Sequence, residues 1–283
     1  MNELRTRGPV RYLVAVSDMA ELKDDEREVV RARFANRTYP LLHDPALEAL
    51  HPYSPLLLTA QSADENGYHH LVGTFSGDMR NALHGWIVSV VPPDRLALHL
   101  AHASVAHGPD GAAYLLRYFD PFVLPVLYQH ADSLWWQEFI APIVSWWVPR
   151  ADTQIQRWGR IPGHGAVQAS PPPPLVIDEP LWQALTGDPL SHRLLQAAEA
   201  HTPALFDTTC RGMRLARVEA HLAKARGLGL SSHEDLHDYV FMVLSRGAQH
   251  LAVDRAWQQA VHRAASGTGR LGDLYLALVQ RQA

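Results

Sequence analysis

Cysteine is nearly missing: Cys210 stands alone among 283 residues. An internal disulfide and a thiolate zinc cluster are therefore both excluded, and nothing demands an oxidising compartment. Lysine is almost as scarce, with only Lys23 and Lys224, so arginine carries the positive charge. No run approaches the roughly 20 apolar residues that cross a bilayer. The apolar stretch near the start, Tyr12-Leu-Val-Ala-Val, is too short for a signal peptide. A formal charge of −4 gives no reason to expect nucleic acid as a partner. There is no G-x-S-x-G elbow and no P-loop lysine motif. Gly227-Leu-Gly229 follows a helical pattern and lacks a third glycine, so it reads as a helix stop instead of a phosphate loop. These absences lead to the expectation of a cytoplasmic, non-catalytic protein without cofactor, metal or membrane partner.

What is present suffices for a sizeable core, since 47% of residues are hydrophobic and 19% charged. The length favours two lobes. Residues 1–188 hold 14 Lys and Arg against 21 Asp and Glu, and residues 189–283 hold 11 against 8, so the two parts differ in sign. Strands are expected at 10–16, 56–60, 86–91, 114–119, 143–148 and 154–158. Helices at 21–35, 93–103 and 120–130 alternate with them, which argues for an α/β lobe over residues 1–158, a mixed sheet with flanking helices. Residues 159–177 are rich in Gly and Pro and end in Pro171-Pro-Pro-Pro174, the composition of a stiff spacer. Beyond it, residues 178–283 read as an all-α lobe with helices at 178–186, 188–200, 203–226, 231–246, 253–265 and 269–282. Asp178 and Asp188 are placed as N-caps, the second followed by Pro189.

The segment from Ala112 to Tyr128 is the densest in signals. Tyr114 to Phe119 suits a buried strand, and Asp120-Pro121 suits a helix start, because Asp caps an orphan N–H and Pro lacks one to lose. Val123, Leu124, Leu127 and Tyr128 continue at helical spacing. Arg117 and Asp120 stand close enough to brace the turn as an ion pair.

This segment resembles the Arg-aromatic-x-Asp-Pro signature of the type VI secretion effector chaperones, also called adaptors. Tyr12-Leu-Val-Ala-Val-Ser-Asp18 resembles that family's opening strand, Tyr53-Ser-Pro-Leu-Leu-Leu58 its second, and Gly85-Trp86-Ile-Val-Ser89 its Gly-Trp strand. His99-Leu100 falls where the family carries a His-Leu helix, and order and spacing agree over roughly residues 10 to 150. Phe122 departs from the pattern, where Arg is expected. The resemblance implies a chaperone that binds one toxic effector in the producing cell and loads it onto the spike-tip valine-glycine-repeat protein, making and breaking no bond. It implies that Arg117, Asp120 and Pro121, with Gly85 and Trp86, support the binding cleft. It also implies that the helical lobe varies more with cargo.

Other residues compete for a role. His233-Glu-Asp-Leu-His237 matches the H-E-x-x-H string of zinc hydrolases, with His233 and His237 as ligands and Glu234 as base. Against it, Ser231 and Glu234 look like a capping box that puts the string in a solvated first turn. Asp235 and Asp238 would add unneeded charge, and no Glu follows Glu234 as a further ligand. Five of eight tryptophans lie between Trp135 and Trp158. Trp146 and Trp147 are adjacent, so in a strand they face opposite ways, one toward the core and the other toward the helical lobe or a partner. On the helix over 203–226, Leu215, Val218, Leu222 and Ala225 make an apolar stripe. Arg211, Arg214, Arg217, His221 and Lys224 make a basic strip beside it, a possible dock for an acidic partner.

Overall fold

The structure, a computed structural model, describes residues 2–4, 9–75, 83–151, 156–186, 189–207 and 211–281. The chain forms two compact units: Met1–Arg150 with Arg157–Gly187, and Asp188–Ala283 with Ala151–Gln156. The first is an α/β unit and the second a helical one.

Short apolar runs build the main sheet: β1 (Tyr12–Ser17), β2 (Thr38–Pro40), β3 (Leu56–Thr59), β4 (Gly85–Ser89), β7 (Ile143–Ala151) and β8 (Gln156–Pro162). Their order is β2-β3-β1-β4-β7-β8. β1 is central because both its faces are apolar, and it pairs antiparallel with β3 (Val16↔Leu57) and β4 (Val14↔Ile87). On one face Val14, Val16, Leu57, Ile87 and Trp146 join a core with α3 (Pro93–Ala101), α4 (Val123–Tyr128) and α5 (Leu134–Ile140). On the other, Ala15 and Leu58 meet Val30 of α1 (Asp24–Arg33), Phe34 at its C-cap, and Leu71 of α2 (Glu65–Thr74), with Phe75 just beyond it. Each large apolar side chain buried this fully contributes about 1.5–3 kcal/mol.

The mixed pairing expected of the main sheet lies elsewhere. The pairs β1–β3, β1–β4, β2–β3 and β4–β7 are antiparallel. A separate small sheet sets β5 (Val105–His107) antiparallel to β6 (Ala113–Leu115) and parallel to β9 (Leu175–Val176). The strand expected over 114–119 stops at Leu115. Tyr118 and Phe119 are consecutive yet both buried in one cluster, which a strand's alternation forbids. A turn, with Asp120 N donating to Arg117 O at 2.9 Å, brings both inward.

The change of unit falls between residues 187 and 188, not in the Gly/Pro-rich stretch. β8 runs on to Pro162, β9 adds to the small sheet, and Leu181 of α6 (Glu179–Thr186) enters the first unit's core. Prolines do not prevent burial when Leu175 and Ile177 follow them. Asp178 does cap, accepting from Leu181 N at 2.9 Å.

The helical unit contains α7 (Pro189–His201), α8 (Arg211–Gly227), α9 (His233–Arg246), α10 (Ala248–Val253), α11 (Arg255–Ala265) and α12 (Leu271–Gln280). Leu215, Val218, Leu222 and Ala225 are all buried in its core, as their spacing requires. The helix expected over 203–226 is instead a 3-10 turn at Pro203–Leu205 followed by α8. α8 ends as glycine dictates: Gly229 takes φ +91°, and Leu230 N returns to Ala225 O at 3.2 Å.

Candidate functional site

β1 ends at Ser17, and the next residue, Asp18, is 1% exposed. A buried carboxylate needs partners. One oxygen caps the following 3-10 turn, accepting from Ala20 N at 2.9 Å. The other accepts from Arg117 Nη2 at 2.5 Å, from a residue 99 positions further on. The same guanidinium lies 3.7 Å from Glu21 and 3.8 Å from Asp120. Glu21 in turn pairs with the buried His84, at 3.2 Å. Asp120 Oδ1 accepts from Phe122 N at 2.7 Å, and its carbonyl accepts from Val123 N and Leu124 N, which starts α4 across Pro121. The expected Arg117–Asp120 brace is thus present as the longer arm of a cluster centred on Asp18. Tyr118 points inward against Phe119, Phe139 and Trp146, at ring distances of 5.5, 5.3 and 6.4 Å. Full burial pushes its phenol well above the ordinary range. One turn therefore joins an ion cluster, an aromatic core and a helix start.

Directly after His84 comes Gly85, opposite Val16. A Cβ on Gly85 would come within 2.9 Å of Trp146 Nε1 and of the Trp147 carbonyl, so only glycine allows β4 and β7 this approach. Trp86 pairs with Trp147 across the ladder and stands edge-on to Phe75 at 5.6 Å. Leu13, Val72, Trp86, Val88, Trp147, Trp158 and Glu3 line a groove of about 520 Å³ on this face. Glu3 accepts from Ser145, from Trp147 Nε1 at 3.3 Å and from Arg160 Nε at 2.8 Å. Burial opposes its charge, but these bonds outweigh it and hold the carboxyl below its usual range.

Both motif segments have now met in space. Residues 13–138 match the family model DUF4123, a domain of unknown function. Comparison with curated proteins and with solved structures gives no match. The DUF4123 region holds Asp18, Glu21, His84, Gly85, Trp86, Arg117, Asp120 and Pro121. It also holds His99 of α3, whose Nε2 lies 3.1 Å from the Phe139 carbonyl and whose pKa is lowered by burial despite that bond.

Residues outside the DUF4123 region fare differently. Trp146 is fully buried and packs on Phe139 at 6.1 Å, so it belongs to the core and cannot itself meet a partner. Trp147, on the opposite face, lines the groove. Two arginines of the basic strip on α8 have partners: Arg214 pairs with Glu199 at 3.0 Å and lies over Phe206, and Arg217 pairs with Asp207 at 2.5 Å. Both pairs lie within the helical unit. The Arg211 side chain and Cys210 lie outside the described residues.

In the His233 string, Ser232 and not Ser231 is the N-cap, accepting from Asp235 N at 3.1 Å. Asp235 is buried and accepts from Leu271 N at 2.7 Å, tying α9 to the start of α12. His233 and Glu234 are exposed, and His237 stacks on Phe241 at 4.3 Å. Among the described residues no group of three or more His, Cys, Asp or Glu is placed to hold a metal ion.

Sequence reasoning missed Glu21, His84, Glu3 and Trp158. His84 stood next to Gly85-Trp86, which was its only available signal. In the sequence Asp18 marks only the short polar turn that ends the opening strand, and nothing beside it names Arg117 as its partner.

Proposed function

We propose that this protein is an effector adaptor of type VI secretion. It binds one toxic effector in the cell that makes it and delivers that effector to the spike-tip valine-glycine-repeat protein. It works by contact alone, with binding energy from burial of apolar and aromatic surface and with arginines fixing register. The observation that carries this reading is the DUF4123 match over residues 13–138, taken with the meeting of two motif segments, Ser17-Asp18 and Arg117 to Pro121, in one ion cluster. A turn fixed on a carboxylate, an aromatic core and a helix start is suited to holding a binding surface rigid. No described helix is long and apolar enough to cross a membrane. The test is affinity capture of the tagged full chain from its native host, read by mass spectrometry. The reading requires recovery of a spike-tip protein together with one large companion. Recovery of neither, from cells that make the apparatus, overturns it.

A further inference from the structure

β8 ends the main sheet and has β7 as its sheet neighbour. An edge strand carries an unpaired row of backbone donors and acceptors, a ready template for another chain. Gly163 N donates to Val144 O and Gly165 N to Ile143 O, at 3.1 and 2.8 Å. Along the strand N–H directions alternate, so the odd-numbered residues of β8 turn theirs to β7, while Trp158 and Arg160 turn theirs outward. Pro162 falls in the outward set, where a missing donor breaks no bond to β7.

Side chains alternate too. Ile161 enters the core, so Arg157 shares its face of the sheet, while Trp158 and Arg160 are on the groove face. Arg157 is exposed and has no acidic partner among the described residues. Trp158 is exposed as well and opens onto the 520 Å³ groove with Trp86 and Trp147. A strand laid along this edge would show β8 two requirements, apolar side chains toward the groove and a carboxylate toward Arg157. A second copy of β8 does not meet them. Its sequence, Gln-Arg-Trp-Gly-Arg-Ile-Pro, carries two arginines and no acid, so self-pairing offers Arg157 no carboxylate.

We propose that the β8 edge takes an extended segment of the cargo protein as an added strand. That segment alternates apolar and acidic residues, the apolar ones lying over Trp158 and an acidic one pairing with Arg157. Backbone bonds supply the docking, and the alternation supplies the choice of segment. The proposal rests on the adaptor reading for the identity of its partner as cargo.

The test uses the full chain with the photo-crosslinking residue benzoylphenylalanine in place of Trp158, and separately in place of the exposed Leu276 of α12. Both are captured from cells making the secretion apparatus. The expected result is a crosslink from position 158 to a companion protein, mapping to an alternating apolar and acidic segment. Arg157→Glu, with unchanged melting, should lower recovery of that companion about tenfold, the effect of some 1.4 kcal/mol. A companion that crosslinks only from position 276, or survives Arg157→Glu at full yield, overturns the edge proposal and leaves the adaptor reading standing. No companion in any capture overturns both.

Discussion

His99 shows how one buried group can make stability depend on pH. Burial lowers its folded pKa below that of the unfolded chain, so the unfolded state binds the proton more readily. Its contribution is complete above the ordinary histidine range and is lost as pH falls through that range toward the folded value. Urea midpoints of the full chain should therefore fall between pH 7.5 and 5.5, and His99→Gln should flatten that slope. An equal slope in the variant would mean that other histidines carry it. Arg117 acts through a carboxylate. Arg117→Leu leaves Asp18 buried without its cation, at a cost of about 1–2 kcal/mol, reduced from a fully buried pair because Arg117 is 39% exposed. Adding Asp18→Asn, which keeps an oxygen for the cap, should recover most of the loss in the same unfolding assay. Spacing alone made the Arg117–Asp120 contact legible. Nothing local in the sequence could reveal Asp18 as the shorter partner, because the two are 99 residues apart.

The turn that leads into helix α4 is held by a single side chain, while the N-cap residue Phe122 makes no side-chain bond of its own. Asp120→Ala removes the acceptor for Phe122 N and should lower stability by about 1 kcal/mol. Unchanged melting of the purified variant would show that Pro121 alone is enough to start the helix. Long apolar runs made β1, β3, β4 and β7 readable, because strands buried on both faces need little else. β2, β5 and β9 are two or three residues long and depend on their neighbours, so no periodicity marks them. α2 contains Gly67 and Gly73, which depress helix propensity, and α5 packs two tryptophans and a phenylalanine into seven residues. Both form because the sheet offers them a face to cover. No sequence pattern marks the groove, for a similar reason. Trp86, Trp147 and Trp158 are scattered in sequence and become neighbours only through strand order.

At the scale of the whole chain, the two units have separate cores with no residue in common. Trp257 is the only tryptophan after residue 187. Indole fluorescence therefore reports mainly on the α/β unit, whereas helix ellipticity draws on both. The two transitions should not coincide in a urea titration; superimposable curves would mean that the units unfold as one. The differing charge of the two parts, visible from composition, needs no structure to be seen. The position of the boundary does, because prolines that look like a spacer end up between strands. The Asp18–Arg117 pair also puts a clock on the nascent chain. At about 5–20 residues per second, the ribosome makes Asp18 roughly 5–20 s before its cation. Through that interval β3 and β4 are made and can pair with the opening strand, but the Asp18 carboxylate has only its local bond from Ala20 N and waits for a turn that has not yet been translated.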